Sequence, residues 1–142
     1  MQYRIQNQRD SSNGWLCTED ASHGSGMHYV ETDMKEGNLN TYTWMMAGLE
    51  DGYNMINANS ENSQYFCTEN ASHGGKHYVE TDKKEDQDSY AWNFHKSGDY
   101  YKIKNEDLGS KGYLCTENAQ RGVKRYAETD VNEDEDAYLW DF

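Results

Sequence analysis

The sequence predicts an all-β fold built three times over, and three observations carry that reading. Three segments repeat one another, apolar residues within each alternate with polar ones, and helical periodicity of any length is missing. The first segment reads YRIQN…WLCTEDASHGSGMHYVETD…YTWMM, from Tyr3 to Met46. The second reads YNMIN…YFCTENASHGGKHYVETD…YAWNF, from Tyr53 to Phe94, and the third YKIKN…YLCTENAQRGVKRYAETD…YLWDF, from Tyr101 to Phe142. Cys17, Cys67 and Cys115 lie 50 and 48 residues apart, and Trp44, Trp92 and Trp140 lie 48 and 48 apart, so the unit is about 47 residues long.

Each unit contains four short runs, taken in order. The first, YxIxN, places Tyr101 and Ile103 on one face and Lys102 and Lys104 on the other, which is the period of a strand. The second is (W/Y)(L/F)CT, the third (H/R)Y(V/A)ETD, and the fourth YxWx(F/M), in which Tyr138 and Trp140 alternate with Leu139 and Asp141. Clusters of Gly, Asn, Ser and Asp bound every run, as turns require in a chain that has no proline. A propeller needs about four blades to close, and this chain has three units. A β-trefoil uses three four-stranded units around a pseudo-threefold axis. The chain starts in the first strand of the first unit and ends in the last strand of the third. The expectation is a single β-trefoil domain over residues 1–142, with repeats 1–50, 51–98 and 99–142.

A chain of 142 residues suits one domain; at that size folding buries about two-thirds of the unfolded surface. Thirteen Lys and Arg against 26 Asp and Glu give a net charge of −13. Such a surface repels phosphate backbones and anionic lipid, so nucleic acid is not an expected partner. No stretch approaches the roughly 20 apolar residues of a membrane span, so no membrane insertion is expected. The opening MQYRIQN has no apolar run and does not read as a secretory signal. That leaves a cytoplasmic protein, export by an unconventional route, or a leader missing from the sequence.

The three cysteines occupy one repeat position, after an apolar residue of the second run. Three cannot pair fully within a chain, and equivalent positions around an axis are poorly placed to pair. They read as small buried residues, suited to a reducing compartment or unconventional export.

The last run, YTWMM, YAWNF and YLWDF, resembles the Q-x-W-x-F motif of ricin-B-type (R-type) trefoil lectins, with Tyr42, Tyr90 and Tyr138 where that family has Gln. Cys followed two residues later by Glu19, Glu69 and Glu117 resembles that family's C-x-D segment, whose Asp grips galactose hydroxyls. Glu31, Glu80 and Glu128 fall where R-type lectins have Gln before their aromatic platform. Asp33, Asp82 and Asp130 stand in place of the stacking aromatic, and the half-cystine partner is missing. In those features the chain is more similar to galactose-binding trefoil lectins of mussels and sea anemones. They use His, Gly-Gly and Asp in a segment like HGGKHYVETD, the Gly pair being intact here at Gly74 and Gly75. The resemblance implies galactose as ligand.

Polar residues that repeat as faithfully as the core form the candidate site: Glu19, Glu69 and Glu117; His23, His73 and Arg121; His28, His77 and Arg125; Glu31, Glu80 and Glu128; Asp33, Asp82 and Asp130; with Gly75 beside them. On one reading they make a sugar pocket in each unit. A carboxylate accepts hydrogen bonds from neighbouring hydroxyls, His or Arg donates, and Tyr or Trp offers an apolar face to the sugar's C–H patch. On the other, TE and ETD hold turns by bonding backbone N–H groups. The His pairs have ligand-like spacing, but the third unit carries Arg121 and Arg125 there, and Arg does not ligate metals, so no zinc is expected. The acidic stretches DKKEDQD, DVNEDED and DMKEGNLN lack the full EF-hand pattern and read as surface loops, with calcium the minority option.

Catalysis finds little support. Paired carboxylates occur in three similar copies, whereas a hydrolytic acid and base need unlike environments. The expected function is a lectin without enzymatic activity. It would recognise terminal galactose on glycans or glycoconjugates through up to three pseudo-equivalent, metal-independent sites, with no cofactor. Three weak sites gain on clustered glycans through effective concentration. Hemagglutination would follow from sites that face apart or from a homodimer. The alternative is a protein-binding β-trefoil of cytokine, inhibitor or cytoskeletal type, and a further rival is a sugar-binding module detached from a toxin or hydrolase.

Overall fold

Alternating runs become strands in the computed structural model, which describes residues 2–22, 26–35, 37, 39–59, 65–83, 88–131 and 135–142. In chain order they are β1 (Gln2–Tyr3), β2 (Gln6–Asn7), β3 (Trp15–Thr18), β4 (His28–Asp33), β5 (Trp44–Leu49), β6 (Gly52–Asn57) and β7 (Tyr65–Thr68). They continue as β8 (His77–Asp82), β9 (Trp92–Ser97), β10 (Tyr100–Asn105), β11 (Tyr113–Thr116), β12 (Arg125–Asp130) and β13 (Trp140–Asp141). The helical segments among the described residues are short 3-10 turns, such as Leu39–Tyr42, Asp88–Tyr90 and Asp136–Tyr138.

Antiparallel pairing closes a ring. β1 pairs with β5, β5 with β6, β6 with β9, β9 with β10, β10 with β13, and β13 with β2. Because β1 and β2 follow one path interrupted at Arg4 and Ile5, the ring is a barrel with its edges used up. The remaining strands form three hairpins, β3–β4, β7–β8 and β11–β12, which set Cys17 opposite Glu31, Cys67 opposite Glu80, and Cys115 opposite Glu128. Their second strands pair in a triangle, β4 with β8, β8 with β12, and β12 with β4.

The inward residues fill one core in threefold sets: Ile5, Met55 and Ile103; Leu16, Phe66 and Leu114; Val30, Val79 and Ala127; Trp44, Trp92 and Trp140. Truncating a buried side chain of the larger kind costs about 3–5 kcal/mol. Each tryptophan also spends its polar N–H inside the core. Trp44 Nε1 donates to the Leu16 carbonyl at 3.0 Å, Trp92 Nε1 to Phe66 at 2.8 Å, and Trp140 Nε1 to Leu114 at 3.1 Å. These bonds tie the barrel to the hairpin triangle.

The fourth run begins differently from its sequence pattern. Tyr42, Tyr90 and Tyr138 end 3-10 turns, and the strand starts two residues later at the tryptophan. The tyrosine hydroxyls account for this, since Tyr42 donates to the Met34 carbonyl at 2.7 Å and Tyr138 to Asp130 Oδ2 at 3.4 Å. Both hydroxyls thereby reach the end of the preceding hairpin.

Candidate functional site

The triangle brings three tyrosines together on its axis. Tyr29, Tyr78 and Tyr126 occupy equivalent places on β4, β8 and β12, with ring centroids 5.8, 5.4 and 5.3 Å apart. Each hydroxyl donates to the glutamate of the next unit: Tyr29 to Glu69 Oε2 at 3.1 Å, Tyr78 to Glu117 Oε2 at 3.1 Å, and Tyr126 to Glu19 Oε2 at 3.2 Å. The second carboxylate oxygen accepts from backbone, from Tyr78 N to Glu69 at 3.3 Å and from Tyr126 N to Glu117 at 3.0 Å. Glu19, Glu69 and Glu117 therefore clasp neighbouring units, and Glu69 and Glu117 hold their own turns as well.

Beside each clasp the hairpin of one unit leans over the carboxylates of the next. A cavity of about 440 Å³ is lined by Cys17, Asp20, Glu31, Asp33 and Tyr42 of the first unit and by Lys124 of the third. Its counterpart, about 380 Å³, is lined by Cys67, Glu69, Glu80, Asp82 and Tyr90 of the second unit and by Met27 and Tyr29 of the first. In the first cavity Lys124 Nζ stands 3.8 Å from Glu31 Oε1 and 3.7 Å from Asp33 Oδ2, while Arg121 donates to Glu31 Oε2 at 2.9 Å. The Arg121 guanidinium also lies 3.7 Å from the centre of the Tyr126 ring. In the third unit the same places are filled from the second. Lys76 Nζ is 3.6 Å from Glu128 Oε1 and 3.5 Å from Asp130 Oδ2, and His73 Nε2 is 3.3 Å from Glu128 Oε2.

The electrostatics follow from burial and pairing. Glu31 is 3% exposed, and burial lifts its carboxyl above the ordinary range against the opposing pull of Arg121 and Lys124. Lys124 is pushed up chiefly by Glu31, and Lys76 chiefly by Glu128. Both ammoniums stay charged at any physiological pH. Burial, followed by the Glu128 charge, raises the Cys115 thiol to about 12, and burial raises Cys17 as well, so both remain thiols rather than thiolates.

The structure gathers some predicted residues into these cavities and holds others behind them. Glu31, Asp33, Glu69, Glu80 and Asp82 line the two cavities; Glu128 and Asp130 take the equivalent place in the third unit. The three aspartates also accept from backbone, with Asp33 Oδ1 bonded to Met34 N at 2.8 Å, Asp82 Oδ1 to Lys83 N at 2.7 Å, and Asp130 Oδ1 to Val131 N at 2.8 Å. His28 and His77 turn Nδ1 to the Glu19 and Glu69 carbonyls, each at 3.0 Å, and Arg125 donates to the Glu117 carbonyl at 3.3 Å and to Asp10 Oδ2 at 2.6 Å. These three brace the turn that carries the glutamate. Gly75 sits with Gly74 in a tight turn at φ +83° and +54°, closed by paired bonds between His73 and Lys76, which is how those two side chains are aimed.

His23 lies outside the described residues, as do Glu36, Asn38, 84–87 and 132–134 of the acidic stretches. Among the described residues no group of three or more His, Cys, Asp and Glu is placed to hold a metal ion. The sequence-predicted set omits Lys124 and Met27, which line cavities belonging to the next unit, and Lys76, which pairs with the next unit's Glu128 and Asp130. Their signal is a column of the repeat, the residue just before the HYVETD or RYAETD run, read across units rather than within one.

No protein-family model matches the chain, and no curated protein matches it. Among solved structures it is similar to the designed threefold symmetric protein ThreeFoil, at TM-score 0.81 and 22% identity over 98% of this chain and 95% of that one. It is also similar to a mosquitocidal holotoxin, at TM-score 0.80 and 17% identity over 99% of this chain but only 16% of the holotoxin's length. A third is the ricin B-like lectin of Macrolepiota procera in complex with lactose, at TM-score 0.74 and 9% identity over 99% of this chain and 92% of that one. These likenesses establish the architecture, an all-β trefoil, and the ricin-B-type resemblance of the motifs extends to the fold.

Proposed function

We propose that this chain is a carbohydrate-binding protein of lectin type that takes terminal galactose-type sugars in the cavities between neighbouring units, without a metal ion and without transforming them. The observation that carries this reading is the recurrence of one polar cavity at equivalent residues of the first and second units. A glutamate and an aspartate two residues apart present acceptors to neighbouring hydroxyls, and a tyrosine ring offers an apolar wall. The Macrolepiota procera lectin of the same fold was solved with lactose, a galactoside, which supports the same ligand class here. Similar cavities in more than one unit also favour binding over catalysis, since an acid and a base need unlike surroundings.

The residues proposed to contact sugar directly are Glu31 and Asp33, Glu80 and Asp82, and Glu128 and Asp130. Glu69 lines the second cavity, and Glu19 and Glu117 take the equivalent place in the repeat, with His73, Arg121, His28, His77 and Arg125 as positioning groups. A protein-binding trefoil is the second reading. It draws on the barrel's other end, where Tyr53 and Phe142 are 44% and 38% exposed beside Phe94 and Tyr101.

A glycan-array screen, run with and without a chelator, separates these readings. Binding confined to terminal galactose and insensitive to chelation is the expected result. Loss on chelation would bring the acidic loops into the site, and a blank array would hand the lead to the protein-binding reading.

A further inference from the structure

The β3–β4 hairpin divides its side chains between two faces. Trp15 stands opposite Asp33, Leu16 opposite Thr32, Cys17 opposite Glu31, and Thr18 opposite Val30. Alternation sends Leu16, Val30 and Thr32 inward, all fully buried, and gives the outer face to Trp15, Cys17, Glu31 and Asp33. Three of those four line the first cavity. Trp15 adjoins it, because side chains directly opposite in an antiparallel pair have Cβ atoms about 4.5–5.5 Å apart. The indole is half-buried. Tyr42, the aromatic that lines the cavity itself, is 5% exposed and bonds its hydroxyl to the Met34 carbonyl, so most of its ring is spent on the fold. The accessible aromatic surface beside Asp33 is therefore that of Trp15.

The same place carries an aromatic ring in every unit. Tyr65 stands opposite Asp82 and Tyr113 opposite Asp130, and both are half-buried. Strand propensity would accept Val, Ile or Thr here as readily, and the core already has its indoles in Trp44, Trp92 and Trp140. Over the Trp15 ring lies the exposed side chain of Lys35, with Nζ 4.3 Å from the ring centre. A cation over a ring at the surface is held weakly, so a ligand that lies on the indole displaces it at small cost.

We infer that Trp15 is the stacking platform of the first unit's sugar site, bearing the C–H patch of a galactose-type ring while hydroxyls of that ring reach Asp33 and Glu31. This rests on the sugar-binding reading above and adds a contact residue to one of its sites. Galactose suits the pair. Its axial hydroxyl leaves the opposite face of the ring as a continuous C–H patch for the indole, and its hydroxyl edge meets the carboxylates as a donor.

The test uses the full chain and methyl β-D-galactopyranoside. Of the four tryptophans, Trp44, Trp92 and Trp140 are fully buried, so a sugar-dependent change in indole emission or in acrylamide quenching reports Trp15. Saturating sugar should move that emission to the blue and protect it from acrylamide. In calorimetry Trp15→Ala should weaken one site about ten-fold. Trp15→Tyr, which installs the ring that the other two units carry, should retain most of the affinity and so assigns the loss to the ring rather than to the fold. Lys35→Ala clears the indole and should tighten binding about two- to five-fold, a gain that misfolding cannot imitate. Sugar that binds by calorimetry yet leaves emission and quenching unchanged would overturn the inference, as would full affinity in Trp15→Ala or no gain in Lys35→Ala. Each of those results leaves the sugar-binding reading standing. Failure of the parent to bind the galactoside in calorimetry would remove that reading and this inference with it.

Discussion

Asn105 joins two units through one side chain, its Nδ2 donating to the Ser89 carbonyl at 2.9 Å and its Oδ1 accepting from Asp107 N at 3.0 Å. The arrangement recurs around the axis. Asn7 donates to the Ala137 carbonyl at 2.9 Å and Asn57 to the Thr41 carbonyl at 3.0 Å, so each first strand is fastened to the 3-10 turn of the unit before it. All three asparagines are 2% exposed or less. A buried amide that loses its partners leaves a carbonyl and an N–H without bonds, at a cost of about 1–3 kcal/mol. Asn105→Leu should therefore lower the melting temperature by several degrees. Chemical denaturation gives the free energy, and a change under half a kilocalorie would mean that water replaces the amide.

A second set of joints can be separated from binding. Tyr29→Phe deletes a hydroxyl bonded to Glu69 but leaves the carboxylate, at an expected cost of about 0.5–1.5 kcal/mol. Glu69→Ala deletes the acceptor of both Tyr29 and Tyr78 N and should cost more, about 1–3 kcal/mol. If Glu69 also meets sugar, Glu69→Ala weakens binding in the second cavity while Tyr29→Phe retains it. Equal losses of affinity in the two variants would assign Glu69 to the scaffold alone.

These joints mark the boundary of what the sequence discloses. The YxIxN run shows its terminal asparagine three times over, and the TE pair its glutamate, so their importance is legible from the repeat. Their partners are not, because each bond crosses between units, from Asn105 to Ser89 or from Tyr29 to Glu69. Alternation within a strand assigns a residue to a face; it is silent on which other strand that face meets. The core is the easier case. Trp44, Phe66 and Ile103 need only an apolar surrounding, and a period of two supplies it. The same limit explains Lys76 and Lys124, whose charge is plain in the sequence but whose carboxylates sit in the following unit. Tyr42 and its equivalents read as strand and end turns because a hydroxyl bond outweighed local propensity.

The axial tyrosines make alkaline stability informative. Burial, followed by the Glu69 charge, raises the Tyr29 hydroxyl from an ordinary 10.0 to about 12, and Tyr78 and Tyr126 shift the same way. A group raised in the folded state binds more protons there than in the unfolded chain, so stability falls as pH rises. For Tyr29 the loss begins near pH 10 and continues to about pH 12. Unfolding free energies across that window should decline more steeply in the parent than in Tyr29→Phe. Parallel slopes would mean that Tyr29 ionises as freely folded as unfolded.

The cysteines offer the last check, and it concerns the cavities directly. Cys17, Cys67 and Cys115 lie beneath the carboxylate pairs at 3%, 2% and 2% exposure. Attack on an alkylating reagent needs both access and a thiolate; burial withholds access from all three, and at Cys17 and Cys115 it withholds the thiolate as well. Burial and Glu128 raise the Cys115 thiol from 9.0 to about 12, so below pH 9 its thiolate is a minute fraction in the folded state. The native chain should therefore resist iodoacetamide at mildly alkaline pH, and all three thiols should react once the chain is unfolded in guanidinium. Removing the carboxylate's charge tests the cause. Glu128→Gln should quicken labelling of Cys115 in the folded chain, because a neutral neighbour no longer opposes the thiolate. Labelling of the parent at a free-thiol rate would show that the hairpin over the cavity opens readily, and mass mapping of the modified cysteine would identify which of the three hairpins does so.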